Sequence, residues 1–185
     1  MASIFNETLL IEHLLKKEKD KDQRRFLLSA YLDSFRGTVF RQTMFAEFEL
    51  EAYERLAARK PLTADSLSEL YLKLLRKYHG HDKGVMNIQP LYGIEWAYIP
   101  HFYYHFYVYQ YASGFIAATA LAQKVLEDGA PAAKRYIDNM LKAGGSKDPI
   151  DILKAAGVDM TSPEPYALAA KKFAERVEEL EKLSE

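Results

Sequence analysis

Phe26-Leu27-Leu28-Ser29-Ala30-Tyr31-Leu32-Asp33-Ser34-Phe35-Arg36-Gly37-Thr38-Val39-Phe40-Arg41-Gln42-Thr43-Met44-Phe45-Ala46-Glu47-Phe48 is the stretch that decides the fold. Its large apolar residues (Phe26, Leu27, Ala30, Tyr31, Phe35, Val39, Phe40, Met44, Phe45, Phe48) recur at steps of three and four. That is the period of one helix face, not of a strand. The spacing predicts a long helix from about Gln23 to Ala58, with Gly37 inside it as a place for a bend or a close helix approach. Outward from it the same period continues. A first helix is predicted from Ser3 to Lys17, capped by Ser3. The charged link Lys16–Arg25 reads as a solvated turn.

Lys60-Pro61-Leu62-Thr63 ends the long helix, and Thr63 caps the next, Ala64–Tyr78, with an incomplete capping box because Ser66 stands where Glu or Gln is usual. A turn-rich loop follows to Pro100. Further helices are predicted over His101–Leu126, Pro131–Lys142, Pro149–Ala156 and Pro163–Leu183, with Gly157 as a C-terminal stop. Small residues in the first of these (Ala112, Ser113, Gly114, Ala117, Ala118, Ala120) suit close helix packing. No β-branched run alternates over strand length. The expectation is an all-α, multi-helix array forming a single helical domain over residues 1–185.

Composition narrows the function classes. The chain has 185 residues, 49% of them hydrophobic and 28% charged, with a net charge of −1. Such a balance provides no basic field for nucleic acid, so no nucleic-acid partner is expected. No apolar run approaches membrane-spanning length, and no membrane partner is expected. Cysteine is absent. Disulfides, thiolate zinc sites and cysteine nucleophiles are excluded, and the composition fits a reducing cytoplasm. No phosphate-binding glycine loop, G-x-G-x-x-G or G-x-S-x-G occurs.

The aromatic residues carry the functional signal. Nine of the 16 residues from Trp96 to Tyr111 are aromatic, six of them tyrosine. Buried phenols need partners, so such a run is either a wide amphipathic core helix or a site wall presenting hydroxyls. On a helix, His101, Tyr104, Val108 and Tyr111 would share one face, and Tyr103, Tyr107 and Gln110 an adjacent one. An imidazole and a phenol at i, i+3 can aim two donors at one oxygen, which suits a tetrahedral oxyanion. His101 and His105 have the i, i+4 spacing of a helical zinc pair, but Phe102 stands where that motif needs its general base. His79, His81 and Asp82 read more simply as a solvated turn than as a metal site, and His13 stands alone. In the long helix, Arg36, Arg41, Gln42 and Glu47 lie among phenylalanines. They form either a polar face or a partly buried network holding a groove in shape.

Phe35–Glu49, Ile99–Gly114 and Leu153–Met160, with the opening Ala2-Ser-Ile-Phe-Asn-Glu7, resemble the oligoendopeptidase F branch of the zinc metallopeptidase family that includes thimet oligopeptidase. The resemblance covers nearly the whole chain. It implies a helical fold with a deep channel that cleaves short unstructured peptides. In that family a zinc ion polarises the scissile carbonyl and its bound water, and a glutamate takes the water's proton. This sequence has no H-E-x-x-H. By the family pattern the metal-ligand glutamate lies just before Met1, so the resemblance is to the C-terminal part of the enzyme, after the zinc site. Zinc belongs to the full-length family, and this chain alone is expected to bind none. Glu7 matches a recurring glutamate after the ligand, one that with Ser3 is placed to orient a ligand rather than bind metal.

The resemblance assigns oxyanion stabilisation to Tyr104 and His101, and substrate binding to Tyr107, Tyr111 and Tyr103. The partners it implies are short peptides and the missing N-terminal portion of the peptidase. Apolar surface meant for that portion implies self-association. Alone, the chain is expected to be inactive. The alternative is a stand-alone, non-catalytic helical module that binds peptides or a protein.

Overall fold

The computed structural model describes residues 1–184, and among them it is helical with no strand. The α-helices are α1 (Ala2–Lys17), α2 (Lys21–Phe35), α3 (Arg41–Ala57), α4 (Ala64–Tyr78), α5 (Tyr109–Asp128), α6 (Ala130–Tyr136), α7 (Pro149–Ala156) and α8 (Glu164–Ser184). π-helical turns at Arg36–Phe40 and Ile137–Leu141 follow α2 and α6, and 3₁₀ segments lie at His81–Lys83, Pro90–Tyr98 and Pro100–Tyr103. None of the described helices is long and apolar enough to cross a membrane.

The predicted helix over Gln23–Ala58 is helical as far as Ala57, but its centre is wider than α. Gly37 sits in the π turn, and the Gln42 side-chain Nε2 donates to the Gly37 carbonyl at 3.2 Å. Such turns accommodate one extra residue without ending the helix. α4 keeps its predicted bounds. Its capping box is complete: the Ser66 amide donates to Thr63 Oγ1 at 3.2 Å, and the Thr63 amide donates to Ser66 Oγ at 2.9 Å. Serine is thus long enough to take the part usually given to Glu or Gln. α7 also keeps its bounds and ends at Gly157, whose φ of 107° is a conformation other residues rarely adopt. Ser3 does not cap α1. It lies inside the first turn, and its hydroxyl donates to Glu7 Oε1 at 2.8 Å.

The chain gathers into two compact units. One comprises Met1–Arg36 with Ser113–Glu185, and the other Gly37–Ala112. In the first, α2 packs on α8 and α1 on α2. Phe35 packs against Phe115 and Phe173, with ring centres 5.2 and 4.7 Å away, and Phe5 stacks on Tyr136 at 3.9 Å. The small residues Ala117, Ala118 and Ala122 of α5 are fully buried.

This unit also holds a charge network that the sequence reading did not anticipate. Glu12 of α1 accepts from Lys172 (3.0 Å) and Arg176 (2.8 Å) of α8, and Arg176 also donates to Glu179 at 2.9 Å. Arg24 pairs with Glu179 and donates to the Leu15 carbonyl, so the link Lys16–Arg25 is a fastened turn rather than a purely solvated one. Burial alone would raise the Glu12 carboxyl. The hydrogen bonds and charges of Arg176 and Lys172 outweigh it and hold Glu12 below the usual carboxylate range. Glu179 is lowered in the same way, burial being outweighed by Arg24 and Arg176. The adjoining Tyr31 phenol is pushed up to about 12, first by burial and then by the Glu12 charge.

Both carboxyls therefore titrate lower in the folded chain than in the unfolded one. Their contribution to stability is full above the unfolded value of 4.5 and is lost as pH falls through the lowered folded values. Urea midpoints should stay level near neutrality and fall below about pH 4.5, with a shallower fall in Glu12→Gln. A fall of the same steepness in that variant would contradict the assignment.

In the second unit α3 packs on α4, and α4 on the 3₁₀ segment Pro90–Tyr98. Met44, Phe45 and Phe48 of α3 meet Leu70, Tyr71, Leu74 and Leu75 of α4, with Ile88, Ile99 and Val108 closing the core. Burying each such side chain contributes about 1.5–3 kcal/mol. Gly93 is required where the 3₁₀ segment crosses α4, since a Cβ there would lie 2.9 Å from the Ser68 carbonyl oxygen. The Trp96 indole donates to Ser68 Oγ at 3.0 Å beside it.

The predicted helix His101–Leu126 is the clearest correction. α5 begins only at Tyr109. Residues 100–103 form a 3₁₀ turn, and His105 and Phe106 then take φ values of 47° and 56°, in the left-handed region. A helix cannot pass through two such residues.

Candidate functional site

The tyrosine-rich run leaves the core at Val108 and Ile99, both buried, and exposes most of what lies between. Phe102 anchors it from below, its ring 5.0 Å from Phe48 and 5.7 Å from Phe45. The chain then reverses at His105–Phe106. Two adjacent non-glycine residues in the left-handed region cost roughly 1–2 kcal/mol each. The surroundings offset that cost: the Phe106 amide donates to Glu49 Oε1 at 2.7 Å, and the Tyr53 ring packs on Phe106 (4.7 Å) and His105 (5.4 Å).

The reversal brings His101, Tyr104, Tyr107 and Tyr111 together by a route other than a shared helix face. His101 lies parallel to Tyr107 at 6.1 Å between ring centres, edge-on to Tyr111 at 5.5 Å and to Tyr104 at 6.5 Å. Tyr107 meets Tyr104 and Tyr111 edge-on at 6.0 and 5.5 Å. His101 Nε2 is 3.3 Å from the Tyr111 hydroxyl oxygen. The Tyr111 phenol is raised, first by its hydrogen bond to Tyr107, then by burial and by the Tyr107 charge. Tyr104 stays 62% exposed at the rim.

Tyr103 stands apart. It is 79% exposed and, among the described residues, takes part in no ring contact. His105 faces Tyr53 and Phe106 rather than His101. The histidine pair therefore has no helical metal-ligand geometry. His79 and His81 are used locally: His79 Nδ1 is 2.8 Å from the Leu75 carbonyl, and His81 Nδ1 accepts from the Ile88 amide at 3.0 Å. Among the described residues no group of three or more His, Asp or Glu is placed to hold a metal ion. The side chains around His101 are phenols, not carboxylates. One imidazole among phenols does not make a zinc ligand set at this cluster.

An open cleft of about 640 Å³ lies in the same unit, lined by Arg41, Met86, Leu91, Tyr92, Glu95 and Tyr98 among others. His101, Tyr103, Tyr104, Tyr107 and Tyr111 do not line it. Behind it Glu95 accepts from the Tyr71 hydroxyl at 2.7 Å and pairs with Arg41, whose guanidinium lies 4.8 Å from the centre of the Phe45 ring. Burial and then the Glu95 hydrogen bond and charge raise the Tyr71 phenol. Glu47 accepts from Lys77 at 2.6 Å and from Tyr78 at 2.7 Å. Arg41 and Glu47 thus belong to partly buried networks. Arg36 instead pairs with Asp33 at an exposed position, 2.8 Å away. Sequence reasoning missed Glu49, Tyr53 and Glu95; nothing local marks them, because their partners are distant in the chain.

Residues 1–172 match the sequence model of peptidase family M3. Oligopeptidase PepF of Bacillus subtilis is 52% identical over 183 residues, covering 99% of this chain and 27% of that protein. The plasmid oligoendopeptidase F of Lactococcus lactis subsp. cremoris is 48% identical over 186 residues, covering 100% of this chain and 30% of that protein. The crystal structure of oligoendopeptidase-F from Enterococcus faecium superposes with a TM-score of 0.90 at 45% identity, over 98% of this chain and 34% of that one. The chain thus spans about a third or less of the length of the relatives it matches. With a family model over nearly all its residues and a helical fold shared with a solved relative, the chain belongs to peptidase family M3, among the oligoendopeptidases F.

Proposed function

We propose that this chain supplies the substrate-binding and oxyanion-stabilising wall of a zinc oligopeptidase that hydrolyses short peptides, its metal being held by residues outside the chain. The carrying observation is the His101–Tyr104–Tyr107–Tyr111 cluster, an imidazole and three phenols packed together on an exposed turn. Tyr104 at the rim donates to a peptide carbonyl as negative charge develops on its oxygen. His101, held by Tyr111 and Tyr107, supplies a second N–H donor. Preorganised donors of this kind stabilise the transition state more than the ground state. Tyr107 and Tyr111 give flat, amphipathic contact surface for the peptide backbone and side chains. Tyr103, outside the cluster, contributes at most an outer contact to a longer peptide.

The chain alone, supplied with zinc ions, is expected to leave an internally quenched peptide intact. Mixed with the separately produced remainder of Bacillus subtilis PepF, it is expected to restore hydrolysis. Zinc-dependent cleavage by the chain alone would overturn the assignment of the metal to other residues. Peptide binding without any restored hydrolysis would favour a non-catalytic peptide-binding module.

A further inference from the structure

Glu49 is 3% exposed, in the middle of α3. One carboxylate oxygen accepts from the Phe106 amide at 2.7 Å; the other is buried and has no hydrogen-bond partner. A carboxylate half-satisfied in an apolar interior is costly, and an apolar residue would fill the place at less expense. Its one bond runs to the second of the two left-handed residues that turn the tyrosine-rich run back on itself. Four residues on, on the same helix face, Tyr53 packs on both of those residues. One helix face thus grips the turn twice, at the backbone and at the rings.

We propose that Glu49 is the positioning residue of the cluster. Its buried carboxylate, seconded by Tyr53, holds the His105–Phe106 turn in the left-handed conformation, so that Tyr107 and Tyr111 lie against His101 and Tyr104 before a peptide arrives. The inference rests on the reading of that cluster as the peptide wall. Glu49 touches no reacting atom. Its effect is on the fraction of molecules whose wall is already formed, and apparent affinity scales with that fraction.

The test compares Glu49→Gln, which keeps a carbonyl to accept the Phe106 amide, with Glu49→Leu, which does not. The first readout is the His101 ring-proton resonances, displaced by the three neighbouring tyrosine rings. They should stay in place in Glu49→Gln and move toward free-histidine positions in Glu49→Leu. Tyr53→Ala, a milder change on a less buried residue, should move them part of the way and serves if Glu49→Leu does not fold. The second readout is the Kd of a short peptide. It should rise about ten-fold in Glu49→Leu, as when the competent fraction falls to about a tenth, and change less than about two-fold in Glu49→Gln. Unmoved His101 resonances in both Glu49→Leu and Tyr53→Ala would overturn the proposal. Equal peptide affinity of wild type and a folded Glu49→Leu would do so as well. Resonances that move as expected in a protein that binds no peptide would uphold the positioning role and remove the peptide-wall reading instead.

Discussion

Phe48→Ala is expected to unfold the unit of residues 37–112 at markedly lower denaturant than the wild type. Phe48 is 3% exposed, and its ring lies 5.4 Å from Tyr71, 6.4 Å from Trp96 and 5.0 Å from Phe102. Truncating such a side chain removes its transfer energy and leaves a cavity, costing about 3–5 kcal/mol. Domains of this size have only about 5–15 kcal/mol in hand. Trp96, the only tryptophan in the sequence, touches Phe48 and reports the loss by fluorescence during urea unfolding. Phe26→Ala is the control: Phe26 is 69% exposed, and its loss should leave the midpoint within about 0.5 kcal/mol of wild type. The change at Phe48 reaches the site too, because Phe102 loses the ring that seats it next to His101. Equal midpoints for Phe48→Ala and Phe26→Ala would contradict the packing described.

Tyr104→Phe is expected to lower kcat by about 10²–10³-fold in the restored enzyme, with KM little changed. The substitution keeps the ring, and with it the edge-on contacts to His101 and Tyr107 at 6.5 and 6.0 Å. It removes only the hydroxyl. A group whose hydrogen bond forms mainly in the transition state shows its loss in kcat rather than in KM. His101→Ala should lower both, since His101 touches all three tyrosines and its removal loosens the wall as well as deleting a donor. Tyr103→Phe should leave kcat unchanged, because that residue stands outside the cluster. Steady-state hydrolysis of a quenched peptide by the four proteins separates these cases. An unchanged kcat in Tyr104→Phe would remove the phenol from the chemistry.

The helices were legible wherever the governing signals are local. α4 and α7 show sharp starts at Thr63 and Pro149, and Gly157 ends α7 through its own φ. The periodic run around Gly37 announced a helix but not its π turn, since the change of ladder leaves no mark in apolar spacing. The reading of His101–Leu126 as one helix failed at its first turns for a different reason. Every residue there tolerates a helix, and the competing conformation is imposed from α3, 57 residues away at Glu49 and about as far at Tyr53 and Phe48. Contacts at that separation override local propensity without altering it. The composition of the run still drew attention to the residues whose rings cluster, Tyr103 excepted. An imidazole and several phenols crowded into a short stretch meet one another whether the backbone is helical or folded back, so the membership of the cluster was more legible than its geometry. The Glu12 network was the least legible, because charged residues on α1 and α8 look like ordinary solvated faces until the two helices lie side by side.

Photo-cross-linking locates a bound peptide on the chain. A short peptide carrying a benzophenone side chain is incubated with the chain, irradiated and mapped by mass spectrometry. If the turn of residues 100–111 is the wall that receives the peptide, the label falls on the segment bearing His101, Tyr104 and Tyr107, is competed by unlabelled peptide, and is lost in His101→Ala with Tyr104→Phe. Labelling confined to the cleft at Leu91 and Tyr92, or to the unit that contains α1 and α8, would contradict the account.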